Sequence, residues 1–274
     1  MRWHLLTLLG AFSLRAADPP PPVYLEHVIM RLPVATVAAM RQSNFLKTDF
    51  SVFEERTTQR DGGARSDTRL HLRGQHTYLE IFEPGANGPN GASLAAGNVS
   101  FGMWVDVRAQ LPAIRDRLIS ETGFAGEITT ALNSQGNPSF DGVEGQPLET
   151  GAVFRSWVLS VYPNGNTREK QHASQYAPDR LFHDVTGITA AGSESERAVL
   201  LKEFRAYGYQ IRNDGEKQVA TGPDVTFTLI PSASRTLTIH LALNREHDGV
   251  YPLGASELKL HGRTGEWVFQ LPSR

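Results

Sequence analysis

Strand-like runs recur along this chain in sets, each led by one strand and one helix and closed by further strands, and that order leaves few folds open. The first set opens with Tyr24-Leu-Glu-His-Val-Ile-Met-Arg-Leu32 and stops at Pro33. The Val37, Met40 and Phe45 spacing and the alanines of Ala35–Leu46 then predict an amphipathic helix. Strands at Phe50–Thr58, at Thr68–Arg73 and around Glu80 follow, separated by turns at Asp61-Gly-Gly63 and Gly74. A second, less regular set runs from Val99–Val107 through a helix marked by Leu111, Ile114, Leu118 and Ile119 to Val153–Tyr162, with Asn133 to Thr150 read as a long loop. The third begins at Leu181–Thr189, where Ser193 and Glu196 predict a helix N-cap and Gly208 the helix stop. Strands at Val225–Ile230 and Arg235–Leu243 and a hairpin of Glu257–His261 with Glu266–Leu271 complete it. The repetition is of architecture more than of letters.

Two of these strands carry residues that apolar strands rarely hold. His76-Thr-Tyr-Leu-Glu-Ile-Phe-Glu-Pro84 plants Glu80 in a buried run, and His27 does the same in Tyr24–Leu32. An unpartnered buried carboxylate costs several kcal/mol, so Glu80 needs a compensating group. A metal ion would compensate both residues. So would a backbone carbonyl for His27 and an ion pair with Arg31 or Arg73 for Glu80. Arg56, Arg60, Arg65, Arg69 and Arg73 crowd one hairpin, either to hold an anionic group or to keep a solvated edge from pairing.

Lysine plus arginine (27) nearly balances aspartate plus glutamate (29) for a net charge of −2, so no overall field recruits nucleic acid. Cysteine is absent, which excludes disulfides, thiolate zinc sites and cysteine nucleophiles and leaves only His, Asp and Glu for a metal. No phosphate loop, dinucleotide fingerprint, serine elbow or His-Glu-x-x-His occurs. Residues 1–17 read as a secretory signal peptide and 18–22 as a proline-rich tether, which predicts a secreted or periplasmic protein. The apolar run of the leader is shorter than the roughly twenty residues of a membrane span, so no integral membrane segment is expected after its removal.

Leu25-Glu-His-Val-Ile with its helix, Thr77-Tyr-Leu-Glu-Ile-Phe-Glu-Pro84 and Phe101-Gly-Met-Trp-Val-Asp-Val resemble the glyoxalase-like branch of the vicinal oxygen chelate superfamily, and Leu181–Thr189 is similar to a later module start there. The resemblance implies an α+β fold of repeated βαβββ modules forming curved mixed sheets, with two modules in 23–163 and a third, with a C-terminal hairpin, in 179–274. It also implies His27 and Glu80 as first-module ligands of a divalent metal. Laying the third module on the first matches Glu80 with His240 and His27 with Asp184, so that His27, Glu80, Asp184 and His240 would suit Mn, Fe, Ni or Zn. The second module offers no ligand. Two functions are then expected. One is a metal-dependent lyase, isomerase or dioxygenase acting on a small oxygenated substrate, with Glu80 as ligand, general base or both. The other is a non-catalytic binder of a hydrophobic small molecule in a cavity lined by Tyr78, Phe82, Trp104 and Trp157. The resemblance also leaves room for a homodimer.

Overall fold

A computed structural model describes residues 21–60, 65–85, 95–133, 135–145, 153–163 and 167–272. The expected leader and most of the proline tether lie outside the described residues.

The first half builds one eight-stranded mixed sheet. Its elements are β1 (Tyr24–Arg31), α1 (Val34–Gln42), β2 (Val52–Arg60), β3 (Arg65–Arg73), β4 (Tyr78–Phe82), β5 (Val99–Trp104), α2 (Leu111–Thr122), β6 (Thr129–Leu132), β7 (Pro138–Glu144) and β8 (Phe154–Val161). The spatial order is β2-β3-β4-β1-β5-β8-β7-β6. A helical crossover lets the last strand of each unit return parallel to its first, β4 beside β1 and β8 beside β5. Antiparallel pairing of β1 with β5 then joins two βαβββ units at the centre. Part of the expected loop at 133–150 is β7, which forms a hairpin with β6.

After the short helix α3 (Arg168–Ala173), a second sheet follows with β9 (Phe182–Gly192), α4 (Glu194–Ala206), β10 (Gln210–Asp214), β11 (Lys217–Thr221), β12 (Thr226–Pro231), β13 (Thr236–Leu243), β14 (Gly249–Pro252), β15 (Ser256–His261) and β16 (Thr264–Gln270). Its order, β10-β11-β12-β9-β13-β16-β15-β14, repeats that of the first sheet. The stretch from 179 onward therefore holds two units, where the sequence suggested one module and a hairpin. The fourth unit has no helix. β13 passes to β14 through the turn 244–248, and β16 returns antiparallel to β13.

Local chemistry explains the boundaries. Ser193 caps α4, accepting from the Glu196 amide while Glu196 reaches back to the Ser193 N–H, and Gly208, at φ 84°, ends the helix in a conformation that suits glycine. β13 alternates buried and half-buried residues along its whole length, as a strand with one core face must. The core is continuous between the halves: Phe101 of β5 meets Phe227 of β12 at 5.1 Å, and Phe227 packs on Phe204 of α4 at 4.3 Å. The molecule is thus an α+β protein of repeated strand–helix–strand units in two curved mixed sheets, the glyoxalase-like architecture.

Candidate functional site

The alternation of β1 breaks at Glu26. Leu25 pairs with Met103 and His27 with the adjacent Gly102, which leaves Glu26 as the extra residue of a β-bulge. Leu25 and Val28 both enter the core, so Glu26 and His27 turn together to the other face. There Glu26 Oε2 lies 2.7 Å from His27 Nδ1, and His27 Nε2 lies 4.0 Å from Glu80 Oε2 on β4. A carboxylate against Nδ1 draws a proton to that nitrogen and turns Nε2 toward Glu80. The His27 ring stacks on Tyr78 at 4.7 Å and meets the edge of Trp157 at 5.5 Å. It also lies over Gly102, where a Cβ would overlap the imidazole.

The sequence leaves a metal ion or an ion pair with Arg31 or Arg73 as the compensation for Glu80. Its partners are instead Arg69 Nη1 at 3.0 Å and His71 Nε2 at 3.2 Å, because β3 runs beside β4 with His71 in register with Glu80. Arg31 sits over the Phe82 ring, and Arg73 is hydrogen-bonded to Glu54. The crowded arginines are thus partly spent on carboxylates, Arg56 also reaching Glu54. Burial pushes the Glu80 carboxyl up, but the His71 hydrogen bond, the pull of the His27 and His71 imidazoles and the Arg69 charge outweigh it and hold the group down at about 2. Glu26 is held at about 2 in the same way: burial raises it, and the His27 and His172 imidazoles beside it bring it down. Desolvation pushes His71 below its ordinary value against the pull of Glu80.

Glu26 and His172 carried no signal in the sequence. On an unbroken strand Glu26 would have faced away from His27, and only the bulge brings them together. His172 arrives from α3, with Nε2 at 3.7 Å from Glu26 Oε1 and its ring 5.7 Å from Tyr78.

Asp184 and His240 are elsewhere. Asp184 accepts from Thr77 Oγ1 at 2.6 Å and the Thr77 amide at 2.8 Å and faces His76 Nδ1 at 2.7 Å, so it ties β9 to the start of β4. His240 lies on the second sheet, with Nε2 at 2.9 Å from Thr189 Oγ1 and Nδ1 at 3.4 Å from Glu266. The internal match that paired His240 with Glu80 is corrected by topology: Glu80 is on the last strand of its unit, His240 on the first strand of the fourth. His240 faces Gly187 across β9 as His27 faces Gly102 across β5, so the counterpart of His27 in the third unit is Gly187, not Asp184.

A divalent metal does not fit these residues. Among the described residues no group of three or more His, Asp or Glu side chains could hold one, whereas a catalytic ion needs about three protein donors. His27 and Glu80 do meet, but Glu80 is already engaged by Arg69 and His71. The neighbouring unit has Gly102 where the first has His27, and Leu159, two residues beyond Trp157, where the first has Glu80, two residues beyond Tyr78. The expected aromatic cavity is only half assembled: Tyr78 and Trp157 flank His27, while Trp104 is fully buried with its indole N–H donated to Asp106. A cavity of about 670 Å³ opens instead beside Asp106, Val107, Ile128, Asp141 and Tyr162.

No curated protein matches this sequence. Among solved structures, a hypothetical protein from Staphylococcus aureus is similar with a TM-score of 0.53 at 10% identity, over 78% of this chain and 88% of that one. A mutant 4-hydroxymandelate synthase from Streptomyces coelicolor gives a TM-score of 0.44 at 14% identity, over 77% of this chain and 63% of the other. A glyoxalase I mutant from Zea mays gives 0.27 at 9% identity, over 77% and 94%. The first of these is a likeness of fold and of nothing finer. Residues 25–269 match a family described as a family of unknown function (DUF5829), and the chain belongs to that family.

Proposed function

We propose that the protein acts on a small oxygenated molecule by proton transfer at His27, in the manner of an isomerase or lyase, without a bound metal. The observation that carries this reading is the Glu26–His27–Glu80 array, with 2.7 Å on one side of the ring and 4.0 Å on the other. Glu26 fixes the tautomer, so the imidazole meets a carbon acid with the Nε2 lone pair. When Nε2 takes the proton, the positive charge that forms on the ring faces two carboxylates held ionised. Glu80, with its carboxyl at about 2, is a weak base, and its part is that of a fixed countercharge. Clusters of buried titratable groups with displaced pKa values concentrate at functional sites, which supports the same reading.

Small 2-oxo acids and 1,2-dicarbonyls incubated in D₂O test the proposal, with deuterium uptake at the carbon next to the carbonyl read by NMR. Uptake catalysed by the protein and lowered about 100-fold or more in His27→Gln supports it. Equal uptake in His27→Gln overturns it, and tight binding of a probe without any uptake favours a non-catalytic binding protein on this fold. We propose export as well, on the strength of the first seventeen residues. Intact mass of the mature chain tests that, since a start after Ala16 or Ala17 is expected and a retained leader contradicts it.

A further inference from the structure

Glu26, His27 and Glu80 are 5%, 3% and 6% exposed, so a molecule acted on at His27 has to displace something first. β1, β4, β5 and β8 are paired on both sides within the sheet and cannot move without breaking ladders of hydrogen bonds. Among the described residues, the element at the site that no sheet ladder holds is α3, which is too short to hold itself as an isolated helix. It sits there because of what its side chains reach. Arg168 donates to the Leu25 carbonyl and to Asp224 of the second sheet, and its guanidinium covers the Tyr24 ring at 4.7 Å. The Arg168 amide donates to Asp106, and Thr167 caps the first turn.

The far end of the same helix inserts His172 against Glu26 and Tyr78. His172 is 2% exposed, and its Nε2 meets the Glu26 carboxylate only at 3.7 Å, longer than a hydrogen bond. A contact of that length stabilises the closed arrangement less than a formed hydrogen bond would. The helix is thus fastened at Arg168 and held only by a long contact at His172, so its release turns on the Arg168 bonds.

We infer that α3 is the gate of the His27 site, with Arg168 as its latch and His172 as its plug, so that a small molecule enters where the His172 imidazole stands when the helix lifts. This rests on the reading of His27 as a working group, but the test reads access and not activity, so the two can fail separately. Diethyl pyrocarbonate modification, followed residue by residue by mass spectrometry at fixed pH, gives the rate at His27 relative to His261, whose side chain is 95% exposed on β15. Slow modification of His27 in the natural protein is expected, rising about tenfold or more relative to His261 in Arg168→Ala. His172→Ala serves as a second variant that removes the plug and leaves the latch, and circular dichroism checks that each variant is folded. An unchanged relative rate in both folded variants, or a His27 already as reactive as His261 in the natural protein, overturns the gate.

Discussion

At the scale of single residues, the site depends on a glycine as much as on its ionisable groups. Because a Cβ at 102 would overlap His27, Gly102→Ala should displace the ring, part it from Glu26 and cost roughly 1–3 kcal/mol, readable by urea unfolding. Glu80 gives a signed pH dependence. Its carboxyl lies at about 2 in the folded protein against an ordinary 4.5, so the stability it contributes is complete above 4.5 and is lost as pH falls from 4.5 to 2. That contribution is on the order of 3 kcal/mol, and Glu80→Gln should flatten the acid limb of a stability–pH curve. An acid limb of the same slope in the variant would assign the effect to other carboxylates. His27 and Glu80 were legible because a charge within an apolar strand has to be compensated. Glu26 was not, since strand periodicity turns neighbours to opposite faces and a bulge leaves no mark in a single sequence. Asp184 and His240 were misplaced for a related reason: matching short apolar strings ignores which strand of a unit each belongs to.

At the scale of elements, long segments with strong signals were readable and short polar ones were not. β1, β4, β8, β9 and β13 have apolar cores bounded by turn residues, and α4 has both its cap and its glycine stop. β6 and β10 are mostly exposed, which leaves no alternation to find. The fourth unit escaped notice because the helix that announces the others is missing. The α4 capping box gives a direct check. Ser193→Ala should cost about 1 kcal/mol, while Ser195→Ala, two residues on and outside the box, should cost less, both measured by thermal unfolding. Equal losses would mean that the cap contributes nothing beyond local polarity.

At the scale of the whole molecule, the two sheets are joined through α4 and β8 by a buried carboxyl. Glu203 is fully buried and accepts from Ser156 Oγ at 2.6 Å and the Ser156 amide at 3.1 Å, while Ser156 Oγ also meets Tyr207 at 2.7 Å. Burial pushes this carboxyl up, and the Ser156 hydrogen bonds and the Arg155 charge recover only part of the shift, leaving it at about 8. The folded protein therefore keeps a proton that the unfolded chain loses near 4.5, and stability should decline as pH rises from 4.5 through 8. Glu203→Gln keeps the shape and removes the charge, so its unfolding midpoint should vary less over that range. A parent and variant with parallel curves would contradict the assignment.

We propose a charge-compensated site that works without an ion. Elemental analysis tests this most directly, on protein purified without chelator from medium supplemented with Mn, Fe, Ni and Zn, beside His27→Ala and Glu80→Ala. Substoichiometric metal in all three is the predicted result. One equivalent of metal in the parent, lost in both variants, would contradict it and return His27 and Glu80 to the role of ligands.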